Sequence, residues 1–136
     1  NTPERLRYTY WMHYAEGSAM PPLLLKLLFT LMPKRAPALL RPLVRKVANQ
    51  ALTTVVIPQL KQHMAFWEAE LGKSEWFAGH EFSGADIQMS FPLEAAAARG
   101  GLDEGHPRAM AFLERIHSRS AYARALEKGG PYQVGR

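Results

Sequence analysis

The chain has 136 residues, of which 47% are hydrophobic, and it carries a formal net charge of +5. This length allows one domain with a sizeable core, and this hydrophobic content argues against a disordered chain. The absence of cysteine excludes disulfides, thiolate zinc sites and a cysteine nucleophile from these residues, and it is compatible with a reducing compartment.

The first predicted element is a helix that begins with Thr2 as N-cap and Pro3 at the first helical position. We expect this helix to end or bend at Gly17. A short apolar helix should then run from Pro22 to about Met32, and prolines punctuate the basic connection that follows.

A long helical pattern extends from about Pro42 to Leu71. The β-branched residues 53–57 would favour a strand in isolation. The apolar residues on both sides keep helical spacing, so we interpret the segment as helix. Pro58 lacks a backbone donor and should kink or split this helix.

Residues 81–87 have the features of a helix start. Ser83 is a favourable N-cap, and Asp86 lies three residues later, where its carboxylate can close a capping box. Phe82 and Ile87 occupy the positions of a hydrophobic staple. This helix should run to about Arg99. A box of this kind can begin many helices, so alone it identifies no family.

Two further helices complete the pattern, one starting at Pro107 and a short one that Ser120 caps. Since helical periodicity dominates, the sequence predicts an all-α fold, a bundle of five to seven helices.

The lead-in to the capping box, Trp76-Phe77-Ala78-Gly79-His80, adds specificity to it. Together with residues 8–18 and 58–71, in this order and spacing, it resembles the C-terminal helical domain of bacterial-type glutathione transferases. The resemblance covers nearly the whole chain and implies a single domain over residues 1–136. It also implies that Ser83 and Asp86 are structural and that Asp86 is a buried folding element.

The same resemblance implies a function. The intact enzyme would be a cytoplasmic homodimer that adds the thiol of glutathione, its co-substrate, to a small hydrophobic electrophile in detoxification. In the family, a thioredoxin-like N-terminal domain holds glutathione and the thiol-activating group. That domain is not contained in residues 1–136, so we expect these residues alone to be inactive. No signal-peptide pattern is visible in the sequence.

Three residues of the first helix are candidate substrate-binding residues. Tyr10 and Tyr14 are one turn apart and should share a face, and the matching helix of the family lines the electrophile pocket. The alternative is that both rings are core or interface packing. Glu16 matches, by position, an acid that helps hold glutathione in the neighbouring subunit of some family classes, and the alternative is an exposed or locally paired carboxylate.

No metal site or complete catalytic centre is predicted. The five histidines are scattered without metal-ligand spacing, and neither a glycine-rich phosphate loop nor a nucleophile elbow is present. We therefore predict no catalytic residue within the chain.

The charge distribution leaves a second function open. No acidic residue occurs between Glu16 and Glu68, a stretch with seven lysines and arginines. We interpret it as a solvated face, and we predict neither a nucleic-acid nor a membrane partner. The alternative function is a non-enzymatic glutathione-transferase-like interaction module. A membrane-surface protein is a third hypothesis, which rests only on the leucine-rich helix.

Overall fold

The computed structural model describes residues 2–130. Their only strand-like feature is an isolated bridge between Trp76 and Gly79. The α-helices in this part of the chain are α1 (Pro3–Tyr14), α2 (Met20–Arg35), α3 (Arg41–Ala51), α4 (Ile57–Glu70), α5 (Gly84–Ala95), α6 (Pro107–His117) and α7 (Ser120–Gly129). The predicted all-α bundle is confirmed.

Three π-helical turns extend these α-helices into longer continuous helices, which we call rods. Ala15–Ala19 joins α1 to α2, Leu52–Val56 joins α3 to α4, and Ala96–Gly100 extends α5. The helix therefore does not end at Gly17, because the chain stays helical through the wider turn. The described residues thus form five continuous helical segments.

Two prolines lie at different positions within these helices. Pro58 is the second residue of α4, directly after the π turn Leu52–Val56. The long helix is therefore not split at Pro58: it stays continuous, with its irregular turn just before the proline. Pro33 was expected in a connection but lies inside the last turn of α2, where its ring is buried. The missing donor of Pro33 costs α2 one hydrogen bond, and only two helical residues follow it.

Large aromatic side chains form the centre of the core. Trp11 of α1 is almost fully buried, and its ring lies 5.4 Å from the ring of Phe66, 4.6 Å from that of Phe77 and 5.0 Å from that of Tyr14. It thus connects α1 to α4 and to the segment between α4 and α5. Trp67, Phe77 and Phe112 are also fully buried.

The start of α5 is fixed by a capping box between Ser83 and Asp86. Asp86 Oδ2 accepts hydrogen bonds from the Ser83 backbone N–H at 2.8 Å and from the Ser83 hydroxyl at 3.0 Å. Asp86 Oδ1 accepts from the backbone N–H of Phe77 at 2.8 Å. Burial raises the pKa of Asp86, and these hydrogen bonds oppose the rise. The carboxylate therefore joins the helix start to the segment that precedes it.

Helix α6 is capped by a side chain from another helix. Both carboxylate oxygens of Glu68, on α4, accept from the backbone N–H of Arg108, and Oε2 also accepts from that of Ala109 at 3.0 Å. A carboxylate at a helix N-terminus also interacts favourably with the helix dipole. At α7 the expected capping by Ser120 is wrong, because Ser120 is the first helical residue and Arg119 occupies the N-cap.

Candidate functional site

The two candidate tyrosines share one face of α1. Their rings stack with centroids 5.6 Å apart and an interplanar angle of 30°. Tyr10 is 50% exposed and Tyr14 only 8%. One ring is thus available to solvent, and the other lies beneath it in the core.

The Tyr14 hydroxyl is hydrogen-bonded to a residue that the sequence analysis did not predict as its partner. It makes a short hydrogen bond with Nδ1 of His63 on α4. Burial raises the pKa of Tyr14 to about 12, against a smaller lowering by Trp67, and burial lowers the pKa of His63. At neutral pH the tyrosine is therefore protonated and the imidazole is neutral, and in the tautomer with a free Nδ1 the Tyr14 hydroxyl donates the hydrogen bond.

We define the tyrosine face as Tyr10, Tyr14, His63 and Phe66. The Phe66 ring lies 5.6 Å from that of Tyr14 and completes an apolar floor. Burial raises the pKa of Tyr10, and the negative charge of Glu70 adds to this rise. The surface therefore combines aromatic rings with one exposed hydroxyl that is protonated at neutral pH.

Charged residues border the tyrosine face at Glu70. This carboxylate is mostly buried, pairs with Arg7 at 3.1 Å and also contacts Lys73. Arg7 in turn donates from Nε to the carbonyl of Phe77 at 2.7 Å. The border is therefore held by ion pairs and hydrogen bonds and joins α1 to the end of α4.

Glu16 lies apart from the tyrosine face. It is exposed in the first π turn and accepts a hydrogen bond from Nε2 of Gln88, on α5, at 3.0 Å. Residues two apart on a helix do not face each other, so Glu16 and Tyr14 point to different neighbours. The structure brings the two tyrosines together but does not bring Glu16 to them.

A second titratable cluster connects the last three helices. The largely buried Glu94 of α5 accepts from His117 Nε2 at 2.8 Å and from the Tyr122 hydroxyl at 3.1 Å. These contacts link α5 to α6 and α7. Among residues 2–130, no group of three histidines or carboxylates is arranged to hold a metal ion.

Within the described range of the chain, no helix has both the length and the apolar character needed to cross a bilayer.

Comparison with protein families gives a match over most of the chain. Residues 31–120 fit the model of the glutathione S-transferase C-terminal domain. Glutathione S-transferase 1 of Saccharomyces cerevisiae is 33% identical over 122 residues, which cover 88% of this chain and 52% of that protein. Glutathione S-transferase 3 of Schizosaccharomyces pombe is 31% identical over 90 residues, covering 66% of this chain and 37% of that protein. The chain thus spans about half the length of the first relative.

Two solved structures share the fold. A glutathione S-transferase from Actinobacillus pleuropneumoniae superposes with a TM-score of 0.63 at 22% identity, over 94% of this chain and 52% of that one. Glutathione transferase F7 from Populus trichocarpa superposes with a TM-score of 0.68 at 18% identity, over 97% and 59% of the two chains. At these identities the similarity concerns the fold alone.

Proposed function

Because this chain belongs to the glutathione S-transferase C-terminal domain family, we propose that it is the helical domain of a glutathione transferase. The observation that carries the proposal is the 33% identity to a curated transferase over 88% of the chain. The proposed domain comprises residues 1–136, and the proposed location is the cytoplasm. The absence of cysteine is compatible with that location.

The proposed reaction joins glutathione to a small hydrophobic electrophile. The glutathione thiol loses its proton to water, and the thiolate sulfur forms a bond to the electrophilic carbon. In a substitution the leaving group, such as the chloride of a chlorodinitrobenzene, departs with its bonding electron pair; in an addition a π bond of the electrophile opens and takes up a proton. We propose that a thioredoxin-like domain outside these residues holds glutathione and supplies the activating group. This division is supported by the span of the chain, which covers about half of its first curated relative.

An activity assay tests this function. The intact protein should accelerate conjugation of glutathione to a chlorodinitrobenzene-type electrophile, whereas residues 1–136 alone should stay at the uncatalysed rate. The reason is that, in this proposal, residues 1–136 bind the electrophile but do not activate the thiol. Circular dichroism of residues 1–136 alone is the control for their folding. Turnover by residues 1–136 would contradict the division of labour, and an inactive intact protein would contradict the transferase.

We propose that Tyr10 contacts the electrophile and that Tyr14 supports it from below. Tyr10 has the exposed ring, while the Tyr14 hydroxyl is bound to His63. An aromatic ring packs an apolar substrate, and a hydroxyl can donate to a developing negative charge. Of the two rings, Tyr10 is therefore the direct contact.

Replacing Tyr10 by phenylalanine should lower kcat/KM for the electrophile about twofold to tenfold, the worth of one neutral hydrogen bond. Glutathione affinity should not change, because the ring remains and glutathione is bound elsewhere. Steady-state kinetics with each substrate varied in turn measures both. Tyr14→Phe is the matched control, and we expect it to affect stability more than kcat/KM. The reverse order of effects would show that Tyr14 is the contact.

We further propose that the intact protein is a homodimer. Exposed apolar patches mark interaction sites, and several apolar side chains of α2, of α3 and of the residue before α3 are more than a third exposed. They are Leu24, Leu25, Leu28, Met32, Leu40, Leu43 and Val47. A two-fold interface would be isologous. In such a dimer we propose that the exposed Glu16 exchanges its hydrogen bond with Gln88 for one to glutathione in the neighbouring subunit.

Sedimentation equilibrium of the intact protein should give twice the monomer mass at micromolar concentration. Leu28→Glu should shift it toward monomer, because a charge at an apolar interface loses its hydration. Ile87→Glu is the control, since Ile87 is an exposed apolar residue of α5 outside this surface. A clean monomer would remove both the dimer and the proposed role of Glu16.

An interaction module without enzymatic activity is the alternative function. It is favoured by the acid-free stretch between Glu16 and Glu68, which could attract an acidic partner surface. The same activity assay separates the two functions, because a pure interaction module would give no turnover in its intact form.

A further inference from the structure

A cleft of about 450 Å³ lies between α2 and α3, and none of its lining residues belongs to the tyrosine face. Its apolar lining comes from Phe29, Pro33 and Leu52. Its cations are Lys34, Arg41 and Arg45. The volume falls within the range of small-molecule binding sites.

The cations of this cleft converge from both helices. Lys34 lies in the last turn of α2, whereas Arg41 and Arg45 are one turn apart at the start of α3. Arg41 donates weakly to the carbonyl of Ala36 at 3.5 Å. Neither Lys34 nor Arg45 forms an ion pair with any residue in the range 2–130.

The surrounding sequence offers no neutralising charge. No Asp or Glu occurs from Gly17 to Trp67, a range that includes both helices of the cleft. Three like charges around one cleft repel each other, and a bound anion with two charges would relieve that repulsion. The cleft is therefore complementary to a dianion and not merely to an apolar molecule.

The donors and the apolar lining define the ligand further. Arginine matches phosphate oxygens with its planar fork of N–H groups, and two arginines one turn apart can share one phosphate. The Asn49 side chain adds a neutral donor to the lining. Phe29 and Leu52 give an apolar group a surface on which to pack.

We propose that the cleft between α2 and α3 binds a phosphate monoester whose organic group is apolar. Such a group carries nearly two negative charges at pH 7. The ester can be a free metabolite-sized molecule or the headgroup of an anionic lipid, since both present the same phosphate. This site is independent of the glutathione chemistry proposed above.

Calorimetric titration of the intact protein with phenyl phosphate tests the site. Arg45→Gln and Lys34→Gln should each weaken binding about tenfold, because each removes a charge-assisted hydrogen bond. Lys46→Gln is the matched control: it removes the same charge from an exposed neighbour that does not line the cleft. Melting temperatures of all variants report whether they remain folded.

Two further ligands define the chemistry and its source. Benzoate carries one charge on the same ring and should bind more weakly than phenyl phosphate. Vesicles of phosphatidylcholine with and without phosphatidic acid test the lipid source in a sedimentation assay. Binding of phenyl phosphate that Arg45→Gln weakens would support a soluble ester, and binding only to phosphatidic acid vesicles with the same dependence would support a headgroup.

Three results would overturn the proposal. The first is no binding of either phosphate. The second is an equal loss in Lys46→Gln and Arg45→Gln, which would indicate a diffuse charge effect and no defined site. The third is equal affinity for benzoate and phenyl phosphate, which would remove the preference for a dianion.

Discussion

Replacing Asp86 by alanine should lower the free energy of unfolding by about 2–4 kcal/mol. The substitution leaves the backbone N–H groups of Phe77 and Ser83 without their acceptor. Phe77 is fully buried, so its N–H cannot turn to water instead. The loss should therefore exceed that of an ordinary exposed helix cap.

Urea unfolding followed by circular dichroism measures this change. Ser83→Ala is the graded comparison, with an expected loss of about 1 kcal/mol, because Asp86 then keeps both backbone donors. Asp103→Ala is the control for an exposed aspartate in a turn. If Asp86→Ala unfolds at the same urea concentration as the parent, the carboxylate has no structural role.

Replacing Trp11 by alanine should cost about 3–5 kcal/mol, the range for a large side chain removed from a core. Trp11 is 1% exposed and contacts rings of two other segments, Phe66 of α4 and Phe77 of the lead-in to α5. Its removal leaves a cavity at the point where α1 meets α4 and the lead-in to α5. We expect the packing of these elements to weaken together.

Thermal unfolding of Trp11→Ala beside Tyr10→Ala separates this effect from a general loss of aromatic surface. Tyr10 is the adjacent residue on α1, and half of its surface is already exposed, so its loss should be well below half that of Trp11. Similar losses for the two variants would show that Trp11 does not anchor the core.

Local signals made much of the fold predictable. Thr2 caps α1 by accepting from the N–H of Arg5, three residues away, and Asp86 reaches Ser83 over the same distance. Such partners lie within one helical turn and are visible in a short window of sequence. An irregular helix near Pro58 was predictable for the same reason, since the missing donor belongs to the residue itself.

Contacts between distant residues were not predictable. Tyr14 and His63 are 49 residues apart, and the Glu68 cap of α6 spans about 40 residues. Neither pair has a spacing that a single sequence can reveal. The common face of Tyr10 and Tyr14 followed from their one-turn spacing, but the burial of Tyr14 depended on where α4 packs.

Buried residues in the first rod recur at intervals of four. Trp11, Ala15, Ala19 and Leu23 are all buried along α1, the π turn and α2. In a regular α-helix a step of four residues advances about 40° beyond a full turn, so such a stripe would drift around the rod. The wider π turn offsets part of this drift.

The second rod has the same arrangement: Ala48 is buried before its π turn, Val56 within the turn, and Leu60 and Met64 after it. Each wide turn keeps two helices in phase with one core. Deleting a single residue from Ala15–Ala19 would rotate α1 against α2 by about 100° and turn one half of the stripe to solvent. A one-residue deletion should therefore be tolerated less within Ala15–Ala19 than in the loop between α2 and α3.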